Sequence, residues 1–306
     1  MRITDNMRVN TLLYNLQRRS ETLNTYMEQL TTGKALNRPS DDPLGTEKGL
    51  AYRQRIAQNQ QYQRNIEDGL SYLGYTDNTL DTVGNLLQQA RSAAIQGDND
   101  NLTAADRAVL ATEVDQILEQ LFNAANTQFN GKFIFAGYNN DTAPFIAERD
   151  ASGNIISVSA NPAGIDDEIK REIGQGVYES INVGGSALFQ PDGAGADTDM
   201  FNSLIALRDA LNANDTEAIG PQIDHLTAAI EQENFHRSLV GEKVTYLETR
   251  LGQLQTLEVT LTEGLSKVED ADYTEAVMNY ELESNAYNAA LAAGSQIMQL
   301  SLLDYL

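Results

Sequence analysis

The sequence predicts a mainly α-helical protein, with long antiparallel helices or coiled-coil arms formed by the two chain ends and a small β-rich domain inserted between helices. Three observations carry this. Near both ends apolar residues recur every seven positions, which gives a helix a stripe that needs a partner helix. Only 6 prolines interrupt 306 residues, so long helices are permitted. Between residues 131 and 197 helical periodicity gives way to alternating segments punctuated by glycine, the pattern of short strands and turns.

The first helix is written in Val9, Leu16, Leu23 and Leu30, with Leu13, Ser20 and Met27 as the expected second seam. Gly33 breaks it, and Pro39 and Pro43 prevent its continuation. Asp42 is a good N-cap and Pro43 suits the first helical position, so a second helix should start near residue 43. Its interior carries Ile66, Leu73, Leu80, Leu87 and Ala94 at seven-residue steps, and it should end near the turn Gly97-Asp98-Asn99-Asp100-Asn101. Thr103 and Asp106 have capping-box spacing. The helix they open should bury Leu110, Val114, Ile117, Leu121 and Ala124 and stop before Asn130-Gly131.

Within the insert, Phe133-Ile134-Phe135 reads as a strand, and residues 145–149 and 154–158 flank Asp150-Ala151-Ser152-Gly153 as a hairpin. Val177, Glu179, Ile181 and Val183 alternate with polar neighbours. Helical signals return with Phe201, Leu204, Leu207 and Leu211, then with a helix starting between Thr216 and Pro221. Val240, Leu247, Leu254, Leu261 and Val268 mark another heptad, with Val244, Leu251 and Leu265 beside it and Glu258 breaking its second seam. Asp270-Ala271-Asp272 interrupts it. The last helix places Val277, Tyr280, Tyr287, Leu291, Met298 and Leu302 on one broad face. The expected organisation is an N-terminal arm and joint (1–42), a helical body (43–130 and 198–270), the β-rich insert (131–197) and a C-terminal arm (271–306). A chain that goes out and returns pairs its arms antiparallel.

Composition excludes several functions. Acidic residues outnumber basic ones 44 to 21, a net charge of −23, which repels phosphate backbones and argues against nucleic-acid binding. Residues 1–70 hold 10 basic and 8 acidic side chains, whereas residues 240–306 hold 3 and 11; a solvated acidic surface is the simpler account, and the sharper one is that the near-neutral N-terminal part lies against the acidic C-terminal part. There is no cysteine, hence no disulfide framework, thiolate metal site or cysteine nucleophile. The opening residues lack the apolar stretch of a signal peptide, and no run approaches the ~20 apolar residues of a membrane span. On those rules alone the chain reads as soluble and cytoplasmic.

Catalytic and metal-binding signals are poor. His225 and His236 lie eleven residues apart on one helix, too far to chelate one metal. Gly184-Gly185-Ser186 lacks the G-x-S-x-G frame of a nucleophile elbow. Gly33-Lys34 and Gly131-Lys132 lack the rest of a P-loop. Asp98-Asn99-Asp100 and Asp166-Asp167-Glu168 lack the glycine and glutamate of an EF-hand. Asp41 and Asp42 are better read as helix caps than as an acid–base pair. No cofactor is implied. Surface for association remains: Leu12 with Leu13, and Leu302 with Leu303, point apolar groups in two directions, which implies packing against more than one helix.

The segment Leu30-Thr31-Thr32-Gly33-Lys34-Ala35-Leu36-Asn37-Arg38-Pro39-Ser40-Asp41-Asp42-Pro43-Leu44-Gly45 resembles the N-terminal signature of the bacterial flagellin superfamily, in its hook–filament junction branch. Ala286-Tyr287-Asn288-Ala289-Ala290-Leu291, the ending Leu300-Ser301-Leu302-Leu303-Asp304-Tyr305-Leu306 and the stretch Phe129 to Gly137 are similar to that branch too. Ala35 stands where many members carry a basic residue. The resemblance covers residues 1–140 and 200–306 and leaves the insert aside.

It implies a structural subunit without enzymatic activity, a layer between hook and filament, and export unfolded through the flagellar type III channel with an uncleaved signal. That places it on the extracellular flagellum and overrides the cytoplasmic reading. The implied partners are neighbouring copies, the other hook-associated junction protein on the hook side, flagellin on the filament side and an export chaperone. The expected interface residues are Val9, Leu13, Leu16, Leu23, Leu30, Val277, Leu291, Met298, Leu302 and Leu303. The expected joint is Gly33, Asn37, Arg38, Pro39, Asp41, Asp42 and Pro43. Two alternatives stand beside it. Arg38-Pro39 and the Asp304-Tyr305-Leu306 tail argue against a short flagellin, and a hydrolase housed in the insert needs a convergent acid–base set.

Overall fold

The computed structural model describes residues 5–162 and 164–303, with side chains described for 7–162 and 164–296. Seven helices and six short strands follow one another among those residues. The helices are α1 (Asp5–Thr32), α2 (Pro43–Gly97), α3 (Ala104–Ala125), α4 (Gly185–Phe189), α5 (Met200–Ala213), α6 (Thr216–Glu269) and α7 (Tyr273–Leu303). The strands are β1 (Gln128–Phe129), β2 (Lys132–Phe133), β3 (Phe145–Arg149), β4 (Ile155–Ala160), β5 (Lys170–Gly174) and β6 (Val177–Ser180). They form three antiparallel two-stranded hairpins, β1–β2, β3–β4 and β5–β6. The chain divides into two compact units, Met1–Gln60 with Thr256–Leu306 and Gln61–Gln255. Helices α2 and α6 each contribute residues to both.

The second unit holds the hydrophobic core. The heptad residues Ile66, Leu73, Leu80, Leu87 and Ala94 of α2 are fully buried, as the spacing predicts. They belong to one cluster with Val114, Leu118 and Leu121 of α3, Phe201, Leu204 and Leu207 of α5, and Val240, Leu247 and Leu254 of α6. Each fully buried leucine contributes ~1.5–3 kcal/mol. Phe135, Phe145, Phe189 and Phe201 join the insert to this core through ring contacts at 5.2–5.5 Å between centroids, an arrangement favoured beyond area burial alone.

Local signals set the helix ends. The capping box forms: the Asp106 amide donates to Thr103 Oγ1 and the Thr103 amide to Asp106 Oδ2. The Thr103 hydroxyl, which donates to Asp106 Oδ2, and the Thr103 amide together hold the Asp106 carboxyl below its usual range. At the end of α2, buried Arg107 donates to the carbonyls of Gly97 and Asn99 and to Asn214 Oδ1, which ties the turn after the helix in place.

The insert departs from expectation in detail. Of the expected strand only Phe133 pairs, as part of β2, with β1 across the turn at Asn130 and Gly131, both at positive φ. Ile134 and Phe135 are buried in a turn instead. Their apolar character serves burial, and the chain turns again at Gly137, at φ +56 with the Asp167 backbone 2.9 Å from where a Cβ would sit. The second hairpin forms over the expected segments with a register shift at Glu148/Arg149, and β4 starts one residue later than predicted. The Gly184-Gly185-Ser186 stretch starts the short helix α4.

Candidate assembly site: the joint and the terminal helices

The motif following α1 folds into a joint within the first unit. Gly33 ends α1 at φ +71, with its amide on the Gln29 carbonyl, a left-handed position that glycine takes without steric cost. Lys34 then forms an isolated antiparallel bridge with Asp270. The Ala35 amide donates to the Glu269 carbonyl at 2.7 Å and the Ala271 amide to the Gly33 carbonyl at 3.0 Å. The joint is therefore tied to the corner between α6 and α7.

Each motif residue has a local task. Asn37 donates its side-chain amide to the Lys34 carbonyl at 3.1 Å. The Arg38–Asp41 turn, with Pro39 inside it, is closed twice: Arg38 N donates to Asp41 Oδ2 and Asp41 N to Arg38 O. Asp42 caps α2, accepting from the Leu44 amide at 3.1 Å, and Pro43 is the first helical residue. Both roles were legible from the sequence.

Charges lock the same corner. The buried Glu269 carboxylate accepts from Arg53 at 2.7 Å and lies 3.8 Å from Lys34 Nζ. Lys34 also pairs with Asp270 at 2.6 Å, and that bond holds the Asp270 carboxyl below its usual range. Nothing in the motif spacing pointed to Glu269 or Arg53. The only available signal was a glutamate at the end of a heptad helix, next to the interrupting Asp270.

Arms α1 and α7 pair antiparallel. Leu12 packs on Gly294, Arg19 reaches Glu283 at 2.9 Å, and Gly33 bonds Ala271, so positions rise on one helix as they fall on the other. Val9, Leu16, Leu23 and Leu30 are half-buried, as the heptad predicts. The second seam is displaced by one residue at two of its three positions: Leu12, Arg19 and Tyr26 are half-buried, while Leu13 and Met27 are 58% and 55% exposed and Ser20 is half-buried as expected. The opposing α7 seam explains the choice. Ala276, Ala290 and Gly294 leave room on that side, and a Cβ on Gly294 would meet Leu12 Cδ2 at 2.7 Å. Val277 is half-buried beside this seam and Leu291 is exposed. The side chains of Met298, Leu302 and Leu303 lie outside those described.

Among the described residues both histidines have a hydrogen-bond partner. No group of three or more His, Asp or Glu there could hold a metal ion, and no described helix is long and apolar enough to cross a membrane. His225 faces Gln222 on its own helix at 3.3 Å. His236 comes beside the glycine–serine stretch, which the sequence did not suggest, but its Nε2 lies 3.0 Å from the Ala187 carbonyl. A carbonyl only accepts, so the ring N–H is spent there, and burial pushes the imidazole pKa down.

Comparison with known proteins agrees with this geometry. The model for the bacterial flagellin N-terminal helical region matches residues 3–140, and that for the C-terminal helical region matches residues 223–306. Flagellar hook-associated protein 3 of Escherichia coli (strain K12) is 29% identical over 294 residues, covering 91% of each chain. Flagellin of Bacillus subtilis (strain 168) is 25% identical over 305 residues, covering 97% of each. The fold is similar to the solved structure of a flagellar hook-associated protein from Vibrio parahaemolyticus, with TM-score 0.66 and 20% identity over 75% of this chain and 100% of that one. With both terminal helical regions matched and its two ends paired as antiparallel arms, the chain belongs to the bacterial flagellin family of structural flagellar proteins.

Proposed function

We propose that the chain is the structural subunit of the junction layer between hook and filament, assembled through its terminal helices after export. One observation carries this reading. In the first unit Leu261 and Ala276 are the buried hydrophobic residues among those described, while twelve large apolar side chains from Met7 to Leu291 are exposed. The buried core cluster lies wholly between Ile66 and Leu254. Helices that leave so much apolar surface open are built for neighbours. The higher identity to hook-associated protein 3, 29% against 25% to the Bacillus subtilis flagellin, favours the junction over the filament.

On this reading Leu13, Met27 and Leu291 serve contacts with other subunits, together with Met298, Leu302 and Leu303 of the tail. The residues from Gly33 to Pro43 form the joint that sets the arm against its own α6–α7 corner. The layer contacts neighbouring copies, the second hook-associated junction protein, and flagellin. Before assembly a dedicated export chaperone covers the apolar tail, and export proceeds with the signal uncleaved. The protein turns over no substrate and binds no nucleic acid.

The test uses a strain lacking this chain. Its hooks should carry no filament, and added purified protein should form a short layer at their tips. Long filaments grown by this protein alone would make it a flagellin, and hooks that gain filaments without it would remove it from the junction.

A further inference from the structure

We propose that copies in the layer join head to tail through a specific heterologous contact: the basic, apolar groove at the joint of one copy receives an acidic, apolar ridge on α7 of the next. The inference rests on the junction-layer reading above.

The groove is about 250 Å³ in volume and is lined by Leu36, Pro39 and Leu50 with Arg38 and Arg53. Glu269 also reaches it, but its carboxylate is buried and paired with Arg53 and Lys34. Arg38 pairs with Glu28 through one terminal nitrogen at 3.2 Å, and Arg53 with Glu269 through one at 2.7 Å. A guanidinium carries five donors, and these side chains remain 68% and 59% exposed. The groove thus presents open cationic donors above an apolar floor.

The ridge lies on the other side of α7 from the seam of Ala276, Glu283 and Gly294. Met278 and Leu282 are four residues apart, on one helix face, and are 62% and 68% exposed. Glu275 and Glu281 flank them, both exposed. A helix row with two apolar knobs between two carboxylates matches a slot with an apolar floor and two guanidinium groups.

The charges also select which patches meet. A contact of groove on groove or ridge on ridge would place like charges together at a cost. Groove on ridge places opposite charges together. One copy's groove on the next copy's ridge, repeated in one direction, is a heterologous contact that builds a ring or helix, as a layer requires.

The chain has no cysteine, so Leu50→Cys and Leu282→Cys each introduce a unique thiol at an exposed position. The two full-length variants are mixed, assembled on hooks that lack the protein, and mildly oxidised. The expected result is a mixed disulfide-linked dimer in the assembled layer, absent from the unassembled mixture and from Leu282→Cys alone. An assembled layer without the mixed disulfide overturns the contact while leaving the junction reading intact. Hooks that the unmodified protein fails to decorate overturn that reading. A second measurement needs no cross-link: Glu281→Arg should reduce incorporation about tenfold, and adding Arg38→Glu in the same chain should recover it. Unchanged incorporation of Glu281→Arg also overturns the contact.

Discussion

Glu269 lies so close to Gly49 that a Cβ on residue 49 would meet its Oε1 at 2.6 Å. The missing side chain gives the carboxylate its place, and Arg53 at 2.7 Å and Lys34 at 3.8 Å hold it there. Gly49→Ala should therefore destabilise the first unit by ~1–2 kcal/mol through overpacking. Glu269→Ala should cost ~1–3 kcal/mol, below the cost of breaking a fully buried pair because both cations are partly exposed. Thermal melting and incorporation on hooks check this. A Gly49→Ala protein indistinguishable from wild type would mean the joint adapts freely.

Asp42→Ala removes the cap seen on the Leu44 amide and should cost ~1 kcal/mol. Weaker assembly with intact export is the expected outcome, read by secretion assay and hook decoration. If export fails while melting is unchanged, the motif is read by the export machinery and its structural role is secondary.

What the sequence could and could not reveal divides on physical lines. The buried row Ile66, Leu73, Leu80 and Leu87 was legible because one helix alone sets its period, and the Asp42-Pro43 start because capping is local. The choice of Leu12 over Leu13 was not. Both are apolar, they lie one residue apart, and only the gap at Gly294, nearly 300 residues on, selects one. Ile134 and Phe135 misled for a related reason: strand composition and burial in a turn look alike when the packing partner Phe189 is distant in sequence. The burial of Glu269 depends on Gly49 and Lys34 from the other end of the chain, so no local signal announces it.

Glu233 gives a pH-dependent prediction for the second unit. It is buried, its Oε1 finds no hydrogen-bond partner among the described residues, and its Oε2 lies 2.8 Å from where a Cβ on Gly84 would be. Burial pushes its carboxyl pKa up; nearby Arg237 opposes this, and Asp81 and Asp77 reinforce it. A raised carboxyl pKa means the folded chain holds this proton more tightly than the unfolded chain. Its contribution is present at low pH and is lost as pH rises from the unfolded value through the folded one. Glu233→Gln keeps the shape without the charge, so its melting temperature should gain on wild type steadily as pH rises over that range. Parallel pH profiles for the two proteins would rule out a raised Glu233 carboxyl pKa.

In the arm seam, packing should outweigh charge. Arg19 and Glu283 form a partly exposed pair at 2.9 Å, worth ~0–1 kcal/mol and weakened by salt. Leu16→Asp or Leu23→Asp places a carboxylate in the half-buried stripe and should abolish stable incorporation, whereas Glu283→Gln should leave most of it. The reverse ranking, measured by hook decoration at two salt concentrations, would show that the arms are held by charge.

The contact between Leu12 and Gly294 offers the sharpest test of arm register. A side chain on residue 294 would have to share space with the Leu12 Cδ2 methyl, 2.7 Å from its Cβ. Gly294→Ala improves local helix propensity by ~1 kcal/mol, so in an isolated α7 it should be stabilising. In the paired arms the clash opposes that gain by ~1–3 kcal/mol, and the net effect should be weaker pairing. Leu12→Ala alone loses apolar contact and should also weaken it. Combined, the methyl on residue 294 occupies space that the shortened residue 12 has vacated, and the double variant should be less impaired than the sum of the two. The coupling, expected at ~0.5–2 kcal/mol, can be read from assembly affinity across the four proteins of the cycle. Additive effects would mean that these residues do not meet, and the antiparallel register through Leu12, Arg19 and Gly33 would have to shift.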